Sequence, residues 1–480
     1  MSLHLPAVCR GYVRATCRSP RPHAGSWARP AWFSAGLLCL IPAVAHAAAT
    51  DNNRLNLSFA ELANIEITSV SKRTERLAAA AASVFVITRD DLRRSGVASL
   101  PEALRMAPNL HVTATSGNDY AISAGANRAG HWERQLDSGA RLSWQAYFDR
   151  TQRDVVPPFA ESLDIVDTQL QYTMAPIGTH ILTWGANHRV RMDHLVNGQY
   201  IAFLPAEIKQ KWSSLFIQDE VSPRDNLRLT LGARVERNDY SGREFLPNAR
   251  LGWKVAPEQF LWSAVSRSVR APSRFDRDVY VPAVPPFLLD GGAPVRSELA
   301  TVHELGYRGQ PASTLSYSVT AYHTVYDFLR TQEIAPDRRS MFFGRMMEGK
   351  ASGVAMWATY QATPSWRLNA GFSAPRERLT VKPGSTDADS AGSSGADPAR
   401  KLTLRSPLDV SPQTQLDFTV RRLAALPLPE VPPAEVPAYT ALDVRLGWRP
   451  DPYWEVSLGG QKPGRWRTRG IHFGDNPRRI

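Results

Sequence analysis

Beyond Cys39 the 480-residue sequence contains no cysteine. A product that loses its first forty residues therefore has no thiol for a disulfide, a thiolate metal site or a cysteine nucleophile. Acidic residues are absent from the first fifty, which carry Arg10, Arg14, Arg18, Arg21 and Arg29, and scarce in the last twenty, where six basic side chains stand against Asp475. The two ends hold +5 each of the formal net charge of +12, so only about +2 is left for everything between them. So even a balance excludes the basic footprint of a nucleic-acid binder. No stretch after the leader approaches eighteen consecutive apolar residues, which excludes a helical membrane protein. HExxH, Walker and nucleophile-elbow spacings are missing too, and Gly349-Lys350-Ala351-Ser352-Gly353 lacks the phosphate-loop arrangement. Nothing here points to an enzyme, a catalytic residue, a metal site or a cofactor.

What is present begins with an export signal. An arginine-bearing stretch leads into the apolar run Ala31 to Ala45 and then Ala45-His46-Ala47, the small-x-small pattern of a secretory cleavage site. The run is too short for the roughly 20 residues of a spanning anchor. Bulky Leu37 and Leu38 before Cys39 argue against a lipoprotein. Residues 1–47 are therefore expected to be a signal peptide, with the mature chain starting near Ala48.

Residues 84–112 read as a small mixed fold. Val84 to Thr88 is expected as a strand, Thr88 and Asp91 form a capping pair opening a short helix that stops at Gly96, and a second helix runs from Ser99 to just before Pro108. From about residue 131 the period changes to two. Leu142, Trp144, Ala146 and Phe148 alternate with polar neighbours, as do Leu227, Leu229, Leu231, Ala233 and Val235, then Leu416, Phe418 and Val420, then Leu442, Val444, Leu446 and Trp448. Tight turns at 137–140, 176–179, 222–226, 256–259, 310–314, 363–365, 411–413 and 449–453 alternate with longer connections at 193–207, 270–297, 328–342, 380–399 and 425–437. A soluble sandwich has no reason to alternate so, whereas an outer-membrane barrel has short turns on one rim and long loops on the other. The expected fold is mainly β: a transmembrane antiparallel β-barrel of about sixteen readable strands, preceded by a truncated α+β plug domain. His188 and His194, without a third ligand, read as polar barrel or loop residues. Trp144, Trp212, Trp253, Trp262, Trp357 and Trp448 read as stacking surfaces or, more simply, as girdle and lipid-facing residues.

The stretch Leu57 to Val112, with the later segments LFIQDEVSPRDNLRLTLGARVERNDYSG, LWSAVSRSVRAPSR and HELGYRGQPASTLSYSVTAYHTVYDFLR, resembles TonB-dependent outer-membrane receptors from plug to barrel. That resemblance implies an outer-membrane location, a TonB-type energy-transducing partner, and a ligand such as a ferric siderophore or a similarly scarce solute, with the receptor acting as a monomer in outer-membrane lipid. The segment it implies as the TonB box is Ile65, Glu66, Ile67, Thr68, Ser69 and Val70, extended and β-branched, suited to pairing as an added strand. An ordinary first plug strand is the plainer reading of the same residues. The domains implied are an N-terminal extension with the box at 48–75, a partial plug at 76–124, a barrel at 125–461 and an atypical basic tail at 462–480. After Ala124 the family pattern would continue through further plug strands, yet Gly125-Ala126-Asn127 leads almost at once into a barrel-like strand. After Gln461 a closing strand would be expected where Lys462 to Ile480 shows no alternation. Three functions compete: energised uptake of an iron chelate, a non-transporting barrel remnant or passive pore, and a secreted soluble β protein.

Overall fold

The computed structural model describes residues 66–68, 74–76, 80–95, 103–104, 106–107, 124–155, 159–291, 295–388, 390–391, 398–427, 435–451 and 454–463. The export signal, Ile65, Ser69, Val70 and the tail from 464 lie outside them. In chain order the strands are β1 (Glu66–Thr68), β2 (Thr74–Arg76), β3 (Ala124–Gln135), β4 (Arg141–Val155), β5 (Phe159–Thr173), β6 (His180–Asn197), β7 (Ala202–Phe203), β8 (Glu207–Arg224), β9 (Leu227–Asn238), β10 (Gly242–Ala256) and β11 (Gln259–Arg270). There follow β12 (Val279–Tyr280), β13 (Glu298–Ala312), β14 (Leu315–Ile334), β15 (Met341–Thr363), β16 (Trp366–Val381), β17 (Lys401–Asp409), β18 (Thr414–Leu423), β19 (Leu426–Pro427), β20 (Glu435–Val436), β21 (Tyr439–Asp451) and β22 (Trp454–Pro463). Two short helices matter below, α1 (Arg89–Ser95) and α2 (Arg274–Arg277).

Sixteen strands form one antiparallel meander in which each long strand pairs with the next along the chain, from β3 to β22. Eight tight turns fall where the sequence placed them. At the first, Gly139 adopts φ +81, which a residue with a Cβ adopts only at a cost, and its N–H donates to Leu136 O at 2.9 Å. The opposite rim carries the longer connections, with three exceptions: 156–158, 239–241 and 335–340 are short. The expected loop at 328–342 is mostly strand, because β14 continues to Ile334 and β15 begins at Met341, leaving 335–340 as the turn. Val84 to Thr88 is not a strand; among the described residues no neighbour pairs with it, and β-propensity without a partner does not make a ladder. Among the described residues β3 and β22 each pair on one side only.

Polarity is inside out. Leu215 is 67% exposed and Leu458 76%, while Gln210, at 2%, and Glu220, Thr320, Asp417 and Arg445 are buried on the concave side. Strand β8 shows the alternation directly: Gln210, Ser214, Phe216, Gln218 and Glu220 point inward and Leu215 and Ile217 outward. Water would penalise such an outer wall, and hydrocarbon rewards it. Trp132 and Trp144, paired across β3 and β4, together with Trp184, Trp253, Trp366 and Trp448, stand outward within a few residues of the tight turns and make an aromatic girdle there. Trp212, Trp262 and Trp357 face the lumen instead. Trp262, 1% exposed, lies against Gly306 on the adjacent strand, where a Cβ would come within 2.2 Å of its ring.

Candidate functional site

The lumen holds the N-terminal segment. Helix α1 opens on the capping pair legible in the sequence: Asp91 N–H donates to Thr88 Oγ1 at 3.0 Å and Thr88 N–H donates to Asp91 Oδ2 at 3.1 Å. Its one full face is charged rather than apolar, and it docks by ion pairs. Arg94 Nε donates to Asp417 Oδ1 at 2.9 Å and its Nη1 to Asp409 Oδ1 at 3.0 Å. Asp417 also accepts from Arg445 Nη1 at 2.8 Å, and Arg445 in turn reaches Glu455. Arg93 donates to Gln415 Oε1 at 2.9 Å and to Glu455 Oε2 at 3.1 Å. On the other side of the helix Asp91 accepts from Arg405 Nη1 at 3.1 Å, with Arg367 at 3.7 Å. Burial opposes ionisation of Asp91, but Arg405, the Thr88 hydrogen bonds and Arg367 outweigh it and hold its carboxyl below the ordinary carboxylate value.

Three further contacts tie the segment to the wall. Arg250 donates to Ala81 O at 2.9 Å, Arg308 to Ala82 O at 3.0 Å and Lys401 to Ala107 O at 3.0 Å. Phe85 meets Trp357 edge-on at 6.3 Å between ring centres. The segment is thus held at many polar points and few apolar ones. The candidate box falls partly among the described residues: Glu66, Ile67 and Thr68 form β1, paired antiparallel with Arg76, Glu75 and Thr74 of β2.

At the loop rim the connection from β11 to β13 folds back over the opening. Strand β12 pairs with β7, and Leu195, Phe203 and Val279 make a small core with Phe159, Ile201, Val281, Leu289 and Phe343 around it. Helix α2 has its own capping box at Ser273 and Asp276. Arg274, buried, donates to Asp278 Oδ2 at 3.0 Å and to the carbonyls of Ala206 and Pro205. Asp276 accepts from Ser273 N–H at 2.8 Å, Arg270 at 3.0 Å and Arg330 at 2.8 Å. Burial would raise its carboxyl; the Ser273 N–H, Arg270 and the Ser273 hydroxyl more than offset that and hold it at about 2. Cations lie over rings around this rim: Arg277 over Tyr240 at 4.7 Å, Arg330 over Phe343 at 5.0 Å, and both Arg345 and Lys382 over Phe328.

His188 and His194 do not converge on a metal geometry. His188 Nδ1 is 2.9 Å from Ser213 Oγ and His194 Nδ1 is 2.8 Å from Glu207 Oε1. The clamp residues Arg93, Arg94, Asp417, Arg445 and Glu455 escaped the sequence reading. Their one visible signal was charge of both signs on the polar side of lipid-facing strands, as with Asp417 between Leu416 and Phe418.

A large antiparallel sheet, apolar outside and polar within, with a segment of the same chain clamped in its lumen, defines an outer-membrane receptor barrel. Residues 88–461 match the family model of the TonB dependent receptor-like β-barrel, and the chain belongs to that family. It is 25% identical over 227 residues to the iron-regulated outer membrane virulence protein of Vibrio cholerae serotype O1 (El Tor Inaba), covering 46% of this chain and 32% of that protein. The chain spans about a third of the length of the curated relatives it matches. Among solved structures it is similar to the siderophore receptor PirA from Pseudomonas aeruginosa, with TM-score 0.53, 13% identity, and 70% of this chain and 58% of that one covered. It is also similar to a mutant of the ferric enterobactin receptor PfeA of the same organism in complex with enterobactin, with TM-score 0.57, 12% identity and coverage of 70% and 56%. Those likenesses establish the fold.

Proposed function

We propose that this chain serves energised uptake of an iron chelate of the siderophore kind across the outer membrane. The observation that carries the proposal is the way the luminal segment is held. Ion pairs removed from water gain little net stability over their solvated state, yet they fix one geometry. A segment fastened by Arg93, Arg94 and Asp91 can therefore be drawn off the wall and rehydrated at modest cost, which suits an obstruction that must first block and then yield. The pull would come through a TonB-type partner pairing with the segment Ile65 to Val70 by main-chain hydrogen bonds. At the loop rim, guanidinium groups over aromatic rings favour an anionic chelate with aromatic donors. The siderophore and iron-regulated names of the similar proteins support the same class.

A second reading, a passive pore or non-transporting barrel, is favoured by the one-sided pairing of β3 and β22 among the described residues. Uptake of a radiolabelled ferric catecholate in a strain without other receptors separates the two. Uptake that requires the energy-transducing protein supports the proposal. Uptake independent of it makes the chain a pore, and none at all makes it a non-transporting barrel.

A further inference from the structure

On the membrane-facing wall two cross-strand rows run side by side from β4 to β10. One is apolar: Trp144, Leu170, Ala186, Leu215, Val235 and Phe245. The next, one step nearer the loop rim, is polar and ends in charge: Thr168, His188, Ser213, Arg237 and Arg243. Ala186 and Ser213 are small where their flanking residues are large, so an open groove of about 580 Å³ lies between Trp144 and Leu170 on one side and Leu215 and Val235 on the other, reaching Arg237 and Arg243. Most of its polar groups satisfy one another. Trp144 Nε1 donates to Thr168 Oγ1 at 2.9 Å, and His188 Nδ1 is 2.9 Å from Ser213 Oγ.

The two arginines are the exception. They are directly opposed across β9 and β10 beside the 239–241 turn, both exposed, and like charges so placed repel. Among the described residues neither has a carboxylate partner. Glu236 is taken by Arg234 at 2.9 Å, and Asp239 accepts from Lys211 N–H at 2.7 Å. Lys350 and Arg378 are likewise directly opposed across β15 and β16. The loop-side half of the outer wall thus carries two directly opposed cation pairs, and the groove adds an apolar trough directly beneath one of them.

We propose that this groove binds a phosphate-bearing anionic lipid of the leaflet at the loop rim, its phosphate shared between Arg237 and Arg243 and an acyl chain lying against Leu170, Ala186 and Leu215. Two guanidinium forks match one phosphate bidentately, and that anion turns the repulsion between them into a bridge. The proposal does not depend on chelate uptake, and a receptor that transports nothing would still bind the lipid.

The test is native mass spectrometry of the full-length protein in detergent with added phosphatidic acid or with phosphatidylcholine of the same acyl chains. Preferential retention of phosphatidic acid is expected, with at least a tenfold loss in the R237Q/R243Q double variant. Folding of that variant, checked by heat-modifiable gel mobility, is expected to persist because it removes only exposed, mutually repelling charges. Ala186→Trp, which fills the trough and leaves both arginines in place, should lower retention comparably. Equal retention of the two lipids, retention unchanged in the double variant, or displacement of the lipid by millimolar inorganic phosphate as readily in wild type as in Ala186→Trp would each overturn the proposal.

Discussion

Replacing Arg94 by methionine tests how the luminal helix is held. The guanidinium is 5% exposed and makes contacts of 2.9 and 3.0 Å to Asp417 and Asp409. Stripping one partner from a buried ion pair costs about 3 to 5 kcal/mol when the other charge is left alone. Asp417 is not left alone, because Arg445 still donates to it at 2.8 Å. The loss therefore falls to that of two charge-assisted hydrogen bonds partly compensated, about 2 to 3 kcal/mol. At tenfold for each 1.4 kcal/mol, hydrogen exchange of the amides in 89–95 should accelerate about 30- to 150-fold. The ladder of β17, β18 and β21 makes its own main-chain bonds, so its protection and the heat-modifiable mobility of the barrel should not change. Substituting Arg445 as well should cost more than it does in a protein that retains Arg94: the two cations share Asp417, so the double variant should be worse than the sum of the singles. Unchanged exchange in the helix, or equal acceleration in helix and strands, would show that the segment is not held by this cluster.

Acid should loosen both docked elements. The carboxyl of Asp91 is lowered from 3.8, so the docked form binds fewer protons than the free one; its contribution is complete above pH 3.8 and disappears as pH falls through the lower docked value. Trp357 fluorescence, reporting on its contact with Phe85, should follow that loss, and Asp91→Asn should abolish the acid-dependent part. Asp276, held at about 2 against 3.8, gives the loop-rim fold the same sign over the window between those values, which proteolysis of the 271–291 connection by pepsin can follow. Gly306→Val should displace Trp262 and destabilise the barrel by about 1 to 3 kcal/mol, seen as a shifted emission maximum and a lower urea midpoint; an unchanged spectrum would contradict the packing. Val420→Arg on the lipid face should cost about 2 to 4 kcal/mol near the midplane, and Arg421→Ala less, since it removes one hydrogen bond of 2.6 Å to Asp443. Equal effects of the two on heat-modifiable mobility would reverse the assignment of faces.

Where lipid dictates the outer wall, as in Leu227 to Val235 or Leu442 to Trp448, the demand repeats every second residue and shows in the sequence. The cap at Thr88 and Asp91 was legible for a similar reason, being complete within four residues. Beyond the hydrocarbon that demand stops: Arg330, Glu333, Arg338 and Arg339 look like loop residues although two of them extend β14, because no apolar face is required of a strand in water. Val84 to Thr88 failed differently, since strand propensity cannot show whether a neighbour exists. The clamp was invisible because Arg94 and Asp417 are 323 residues apart and only the folding of the sheet around the luminal segment brings them together.

Strand length varies around the wall. With a rise of about 3.3 Å per residue and a tilt near 45°, the 23 residues of β15 stand roughly 54 Å tall, whereas the 9 of β17 reach only about 21 Å. The second is about the length that crosses hydrocarbon at that tilt, and the first is more than twice it. Lipid beside β17 and its neighbour β18 can therefore keep its ordinary thickness, while the loop-side ends of β14 and β15 stand in water beyond the headgroups. On that flank the protein would raise a wall of β-sheet clear of the membrane.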